Sequence, residues 1–269
     1  AGKEMGIDCE LIRQRDYLRL PEYDGLFIRT TTNIDHYTYR FAKKAENEGL
    51  VTIDDSNSIL RCTNKIYLSD LFRIHKVSAP RTVVLYKDQP AQLLELEQSL
   101  GFPIVVKIPD GAFSRGVEKA RDPAELALIC KKLFRHSTLL LAQEFLYTEF
   151  DWRIGVLDNQ PLYACRYFMV KNHWQIYRHG NRTDAGGFET LPIADVPHSV
   201  VETALRATRP IGSSLYGVDL KEREGKGCVI EVNDNPNVDK GVEDAYLGMD
   251  LYRRIMGTML KRMEARRGH

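Results

Sequence analysis

The sequence predicts an α+β protein of more than one lobe, and three observations carry that prediction. The chain has 269 residues, longer than one typical domain, with room for two or three lobes. Residues 26–53 read strand–helix–strand, the order of a parallel α/β layer. Residues 217–237 place two apolar runs around a charged turn containing Gly225 and Gly227, the signature of a β-hairpin.

Composition excludes more than it assigns. Thirty-eight Lys and Arg face 37 Asp and Glu for a net charge of +1, which gives no argument for nucleic acid or a membrane surface as partner. The five cysteines (Cys9, Cys62, Cys130, Cys165, Cys228) are odd in number and scattered, with no Cys-x-x-Cys. Structural zinc and a disulfide framework are therefore not expected, and a reducing cytosol fits. No apolar stretch approaches the length that spans a bilayer. The start, Ala1 to Met5, with a first apparent strand only at Leu26, reads as a fragment of a chain with a longer natural N-terminus.

Taken in order, residues 25–30 are a short buried strand. Asn33 or Asp35 caps a helix over 36–48 that Gly49 ends, with Tyr37, Phe41 and Ala45 on one face. Residues 50–53 are the second strand. A helix then runs from Asp55-Ser56 to near His75 on Cys62, Ile66, Leu68, Leu71 and Phe72, with Lys65 inside it. Residues 81–86 are a strand and 90–100 a helix. Lys107 interrupts a strong strand over 104–109, so its amine reaches either an edge or an anion. The loop 110–117 spaces Gly111 and Gly116 like a P-loop, but Val117-Glu118 stands where that motif needs Lys and then Ser or Thr, and the P-loop is rejected.

Asp122-Pro123 caps a helix to about His136. Residues 139–146 form a strand that turns polar midway, 149–157 a strand with Asp151 and Arg153 on one face, and 162–170 a strand carrying Arg166. Residues 171–192 form a polar, aromatic loop whose length suggests function. Helices follow over 198–209 and 251–266, the second basic and read as a solvated face.

The hairpin carries the most chemistry. Centred near Gly225, it sets Asp219 opposite Glu231, and Asn233 points the same way as Glu231 because side chains alternate along a strand. Two carboxylates that close repel unless a cation lies between them. Oxygen ligands with other positions left to water and phosphate suit Mg²⁺ better than Ca²⁺. A solvated edge is the plain alternative. Against it, Glu231 sits within Val229-Ile230-Glu231-Val232, a run that otherwise looks buried, where a charge is usually paired or metal-bound.

Gly217-Val218-Asp219-Leu220 followed by Glu231-Val232-Asn233-Asp234-Asn235-Pro236 resembles the metal-binding end of the ATP-grasp superfamily, and within it the RimK-like carboxylate–amine ligases. That resemblance implies two α+β lobes gripping ATP after a partial α/β segment. The divisions are 1–78 for that segment, 79–147 for a lid lobe and 148–269 for a C-terminal lobe with the metal site. It implies that Lys65 and Lys107 contact phosphates and that the backbone of Glu144, Phe145 and Leu146 forms an adenine hinge. Asp151 would lie on the ribose side, and Asp219, Glu231 and Asn233 would hold Mg²⁺, or Mn²⁺ in its place. Arg166 resembles the catalytic arginine. The implied reaction makes an acyl phosphate from a carboxylate and ATP, which an amine then attacks, adding an amino acid to a peptide, protein or small amine. A phosphotransferase or a non-catalytic ATP-binding module would use the same cleft. The resemblance leaves room for a homo-oligomer. Two departures stand out. The long loop lacks the Arg-Ser-Asn…Gly-Gly run of the S6-modifying enzymes, so that only Gly186-Gly187 aligns while Arg178 and Arg182 do not, and the substrate stays open. Residues 238–244 are unusually acidic, reading as a solvated turn or as a reader of an amine or basic peptide.

Overall fold

A computed structural model gives the architecture and describes all residues except 90, 111–115, 172–173, 179–183 and 269. Most of the glycine loop, and His173, His179 and Arg182 of the long loop, thus lie outside the described residues.

The first unit is small. Strand β1 (Gly25–Phe27) pairs in parallel with β2 (Val51–Ile53), and α1 (Tyr37–Glu48) makes the crossover. Gly49 ends α1 with φ +85°, and Phe41, Ala42 and Ala45 pack on Leu26, Ile28 and Leu50.

Two helices follow where the sequence suggested one. Strand β2 leads into α2 (Ser56–Thr63), capped by Asp55, and then α3 (Lys65–Ile74). Asn64 causes the break: with φ −100° and ψ 108° it leaves the helix, and its Oδ1 accepts the backbone N–H groups of Ile66 and Tyr67, both at 3.0 Å. This is an N-cap, which competes with helix continuation wherever Asn can reach the next turn's donors. Lys65 is therefore the first residue of α3, not an interior one.

The second unit is an antiparallel sheet of β3 (Thr82–Tyr86), β4 (Ile104–Lys107), β5 (Val117–Ala120) and β6 (Leu139–Glu144), in the order β3-β6-β4-β5. Ile104, Val106, Leu140 and Ala142 turn one face to α4 (Gln92–Leu100) and α5 (Pro123–Leu133). Alternation leaves Val105, Lys107 and Gln143 for the opposite face. Asp122 caps α5 at 2.8 Å, with Pro123 as its first residue.

The third unit is a five-stranded antiparallel sheet in the order β11-β8-β7-β12-β13. It comprises β7 (Phe150–Leu157), β8 (Gln160–Phe168), β11 (Phe188–Leu191), β12 (Leu215–Arg223) and β13 (Lys226–Asp234). Within the loop before β11, β9 (Tyr177–Arg178) and β10 (Asp184–Ala185) pair with each other. One face of the large sheet packs on α3 and α6 (His198–Thr208), the other on β2 and α7 (Met249–Arg267). Leu68, Leu71 and Phe72 of α3 lie in one core with Trp152, Val218 and Val229. Packing thus joins α3 to this sheet. No helix among the described residues is long and apolar enough to cross a membrane.

The β12–β13 hairpin reaches its register by two compensating steps. Its turn is Glu224-Gly225, with φ +53° and +74°, so Arg223 faces Lys226 and the centre falls half a residue before Gly225. Positive φ at both positions is the mirror-turn geometry that matches strand twist. A bulge between Asp219 and Leu220 then inserts Ile230 and returns Asp219 to Glu231. Val229 and Val232, three residues apart, both enter the same core only because of that extra residue. In the acidic turn after the hairpin Asp239 and Lys240 are exposed, but Glu243 and Asp244 are buried and not solvated. Glu243 is 1% exposed and accepts from the Tyr167 hydroxyl and from Asp239 N–H at 2.7 Å, while Asp244 accepts from Gly241 N–H and the Tyr252 hydroxyl.

Candidate functional site

Between the two larger sheets lies a cleft of about 340 Å³. From the four-stranded sheet come Lys107, Gln143 and the segment Glu144-Phe145-Leu146. From the five-stranded sheet come Asp151, Arg153, Asp219, Lys221, Glu231 and Asn233. Lys65 enters from the start of α3. Nine of the ten residues singled out in the sequence therefore line one space.

Their side chains answer each other. Lys65 Nζ is 2.8 Å from Glu231 Oε1. Burial alone would raise the Glu231 carboxyl, but Lys65, with help from Lys107 and Arg153, brings it below the ordinary value. Arg153 donates through Nε and Nη2 to the two Asp219 oxygens at 2.6 and 2.8 Å, a bidentate pair. Burial still holds the Asp219 carboxyl above its ordinary value against that opposing charge. Lys107 Nζ donates to Gln143 Oε1 at 2.6 Å, and burial, with Lys65 and Lys221 nearby, lowers its amine to about 8. Asn233 Nδ2 donates to Asp219 Oδ2 at 3.1 Å. Gly217, beneath this group, has no room for a side chain: a Cβ there would lie 2.7 Å from Pro236 Cβ.

Asp219, Glu231 and Asn233 fit a hard cation by the chemistry of their donors. Two carboxylates paired across the hairpin and an amide two residues on all line the cleft. No group of three or more His, Cys, Asp or Glu able to hold a metal occurs among the described residues, so the set is two acids and an amide. Each carboxylate already has a counter-charge, Arg153 or Lys65, which sequence reasoning had not supplied.

At the other end, Glu144 N–H donates to Arg81 O and Phe145 N–H to Pro103 O. Leu146 follows directly on this pair and lines the cleft. Phe145 meets Trp174 edge-on at 5.9 Å, with Lys119 Nζ 4.3 Å from the Phe145 ring centre.

A RimK-like ATP-grasp domain matches residues 62–259. The chain belongs to the RimK-like ATP-grasp family. It is similar to the alpha-aminoadipate–LysW ligase LysX of Saccharolobus solfataricus, 26% identical over 87% of this chain and 86% of that one. It is also similar to the glutamate–LysW ligase ArgX of Sulfolobus acidocaldarius, 30% identical over 81% and 75%. It spans 66% of the length of the LysX of Sulfurisphaera tokodaii. In fold it matches the D-alanine–D-alanine ligase of Bacillus anthracis, with a TM-score of 0.75 at 18% identity over 98% of this chain and 90% of that one. The domain is thus of the ATP-dependent carboxylate–amine ligase class.

One expected RimK-like residue is not brought into the cleft. Arg166 pairs in register with Trp152, one step out of phase with Arg153, and so faces the other side of the sheet. Its guanidinium lies over the Phe150 and Trp152 rings and meets Glu189 at 3.2 Å. Arg153, on the same face as Asp151, stands in the cleft instead. The signal was present in Asp151-Trp152-Arg153, where alternation puts Asp and Arg together. Lys221, two residues after Asp219, was missed by the same reasoning.

Proposed function

We propose that the cleft binds ATP and joins a carboxylate to an amine through an acyl phosphate. The convergence of four cations and the Asp219–Glu231–Asn233 set in one groove between two sheets carries this reading. Lys65 and Lys107 hold phosphate oxygens as point charges. Leu146 N–H with the neighbouring hinge backbone reads adenine, and Asp151 lies on the ribose side. Asp219, Glu231 and Asn233 hold Mg²⁺ or Mn²⁺, which when bound neutralises the phosphates. In the first step a substrate carboxylate oxygen attacks the γ-phosphorus and the bond to ADP breaks. In the second an amine nitrogen attacks the acyl carbon, loses a proton, and phosphate leaves. Neither step needs a protein nucleophile, since the side chains position substrates and stabilise charge. Arg153, already facing Asp219, takes the role expected of Arg166 and steadies the transferred phosphoryl group.

The names of the relatives, which pair an amino acid with LysW, support an amino acid as one substrate and a peptide, protein or small amine as the other. Use of ATP and five free cysteines support the cytosol.

Calorimetry of ATP binding, with and without Mg²⁺, tests the site in wild type and Glu231→Gln. Mg²⁺-dependent binding that weakens at least about tenfold in the variant is expected, on the scale of losing one charged contact. Mg²⁺-independent binding would remove the metal assignment. Product analysis tests the reaction: an amide and free phosphate are expected, and a phosphorylated acceptor would make the protein a kinase.

A further inference from the structure

We infer that Lys221 is a positioning residue that makes the cleft select ribonucleotides, by fixing Asp151 so that one carboxylate oxygen serves the sugar hydroxyls. The inference rests on the reading of the cleft as an ATP site.

Lys221 Nζ lies 2.6 Å from Asp151 Oδ1 and 2.7 Å from Thr148 Oγ1. Thr148 Oγ1 in turn donates to the same Oδ1 at 3.2 Å. Both donors therefore converge on one oxygen. The other, Oδ2, has no partner among the described residues, and Asp151 lines the cleft. An ionised carboxylate only accepts, and a sugar hydroxyl can donate.

With the cleft read as an ATP site, place along the sheet fits Asp151 to the sugar. Lys221 follows Asp219 by two residues on β12, and Asp151 precedes Arg153 by two on β7, in paired strands. Two residues along a strand span about 6.7 Å. The Asp151–Lys221 pair thus stands one such step from the Asp219–Arg153 pair, within the same cleft that holds the hinge at Glu144-Phe145-Leu146. A nucleotide with its base on the hinge and its phosphates at Lys65 and Lys107 brings its ribose here. Lys221 is assigned to positioning and not to phosphate because its donors go to Asp151 Oδ1 and to Thr148 Oγ1, which itself donates to that same oxygen. Its work is to deny Asp151 other rotamers. A polar group held for a missing hydroxyl is left unpaired, which is how such sites reject the analogue.

The test compares dissociation constants for ATP, 2′-deoxyATP and 3′-deoxyATP with Mg²⁺. Wild type should favour ATP over at least one deoxy analogue by about tenfold to a hundredfold, the range for a hydrogen bond to a charged group. Lys221→Met should lose affinity for ATP but little for that analogue, collapsing the ratio to about threefold or less. Lys221→Arg should restore most of it, and Thr148→Val gives an intermediate ratio should the methionine variant not fold. Equal weakening of all three nucleotides would make Lys221 a phosphate ligand and overturn the inference. Lower thermal stability with an unchanged ratio would make it merely structural and overturn it too. If ATP binds without discrimination, only this inference fails. If wild type binds no ATP, the cleft reading fails with it.

Discussion

In the five-stranded sheet Arg153 grips Asp219 through two nitrogens, with both side chains 17% exposed. In the four-stranded sheet Arg81 grips Glu144 through Nε at 2.8 Å, with its own side chain 61% exposed. The two pairs share a chemistry and differ in purpose. Arg81 also donates to the carbonyls of Ser99 and Leu100, so it ties β6 to the end of α4. Among the described residues Arg153 donates to no such backbone carbonyl. It holds a desolvated charge ready in the cleft, with Tyr167 beneath its guanidinium. One sheet thus keeps a buried ion pair in the cleft, while the other uses an exposed one to tie a strand to its helix.

The largest effect should come from breaking the buried pair. Arg153→Met leaves Asp219 uncompensated in a dry site and should cost about 3–5 kcal/mol in urea unfolding. Asp219→Asn added to that variant should recover part of the loss. A cost no greater than that of an exposed pair would erase the contrast between the sheets.

Lys107 sharpens the contrast from the lid side. Burial places its amine at about 8, below the ordinary lysine value, so above that pH the free site is largely neutral. Phosphate favours the ammonium form, so ATP binding should take up a proton and weaken as pH rises through 8. Calorimetry in buffers of different ionisation enthalpy should show roughly half a proton or more taken up near pH 9, and none in Lys107→Met. The sign for stability is opposite. Between pH 8 and about 10 the unfolded chain binds more protons than the folded one, so this group makes the fold gain stability as pH rises.

The smallest effect belongs to the exposed pair. Arg81→Ala should shift stability by about 1 kcal/mol or less, since solvent screens a side chain that open. A loss matching that of Arg153→Met would show that the tie to α4, and not burial of the pair, governs both sheets.

Much of this was legible in the sequence where one residue type forces one geometry. Gly49 ended α1, Asp122-Pro123 opened α5, and Glu231 inside an apolar run marked the cleft. What escaped depended on partners far along the chain. Asn64 looked like a helical residue because nothing local shows its side chain turning back on Ile66 and Tyr67. Arg166 was expected in the cleft from the resemblance alone, and one residue of strand phase separates a cleft residue from one stacked on Phe150 and Trp152. Glu243 looked solvated because its partner, Tyr167, lies 76 residues away. The Asp219–Glu231 pairing was expected for a hairpin centred on Gly225, yet it arises from an earlier turn corrected by a bulge.

That bulge sets where the hairpin can change length over evolutionary time. Losing Ile230 alone would remove the bulge and still set Glu231 opposite Asp219, because Val229 faces Leu220 and the next residue falls on Asp219. Losing Val232 has no such slack, since it would turn Asn233 to the face opposite Glu231. Insertions at the Glu224-Gly225 tip leave the phase of the inner pairs intact. Variation in length should therefore gather at the tip and at Ile230, while the stretch from Glu231 to Asn233 keeps its residue count in any descendant that keeps the chemistry.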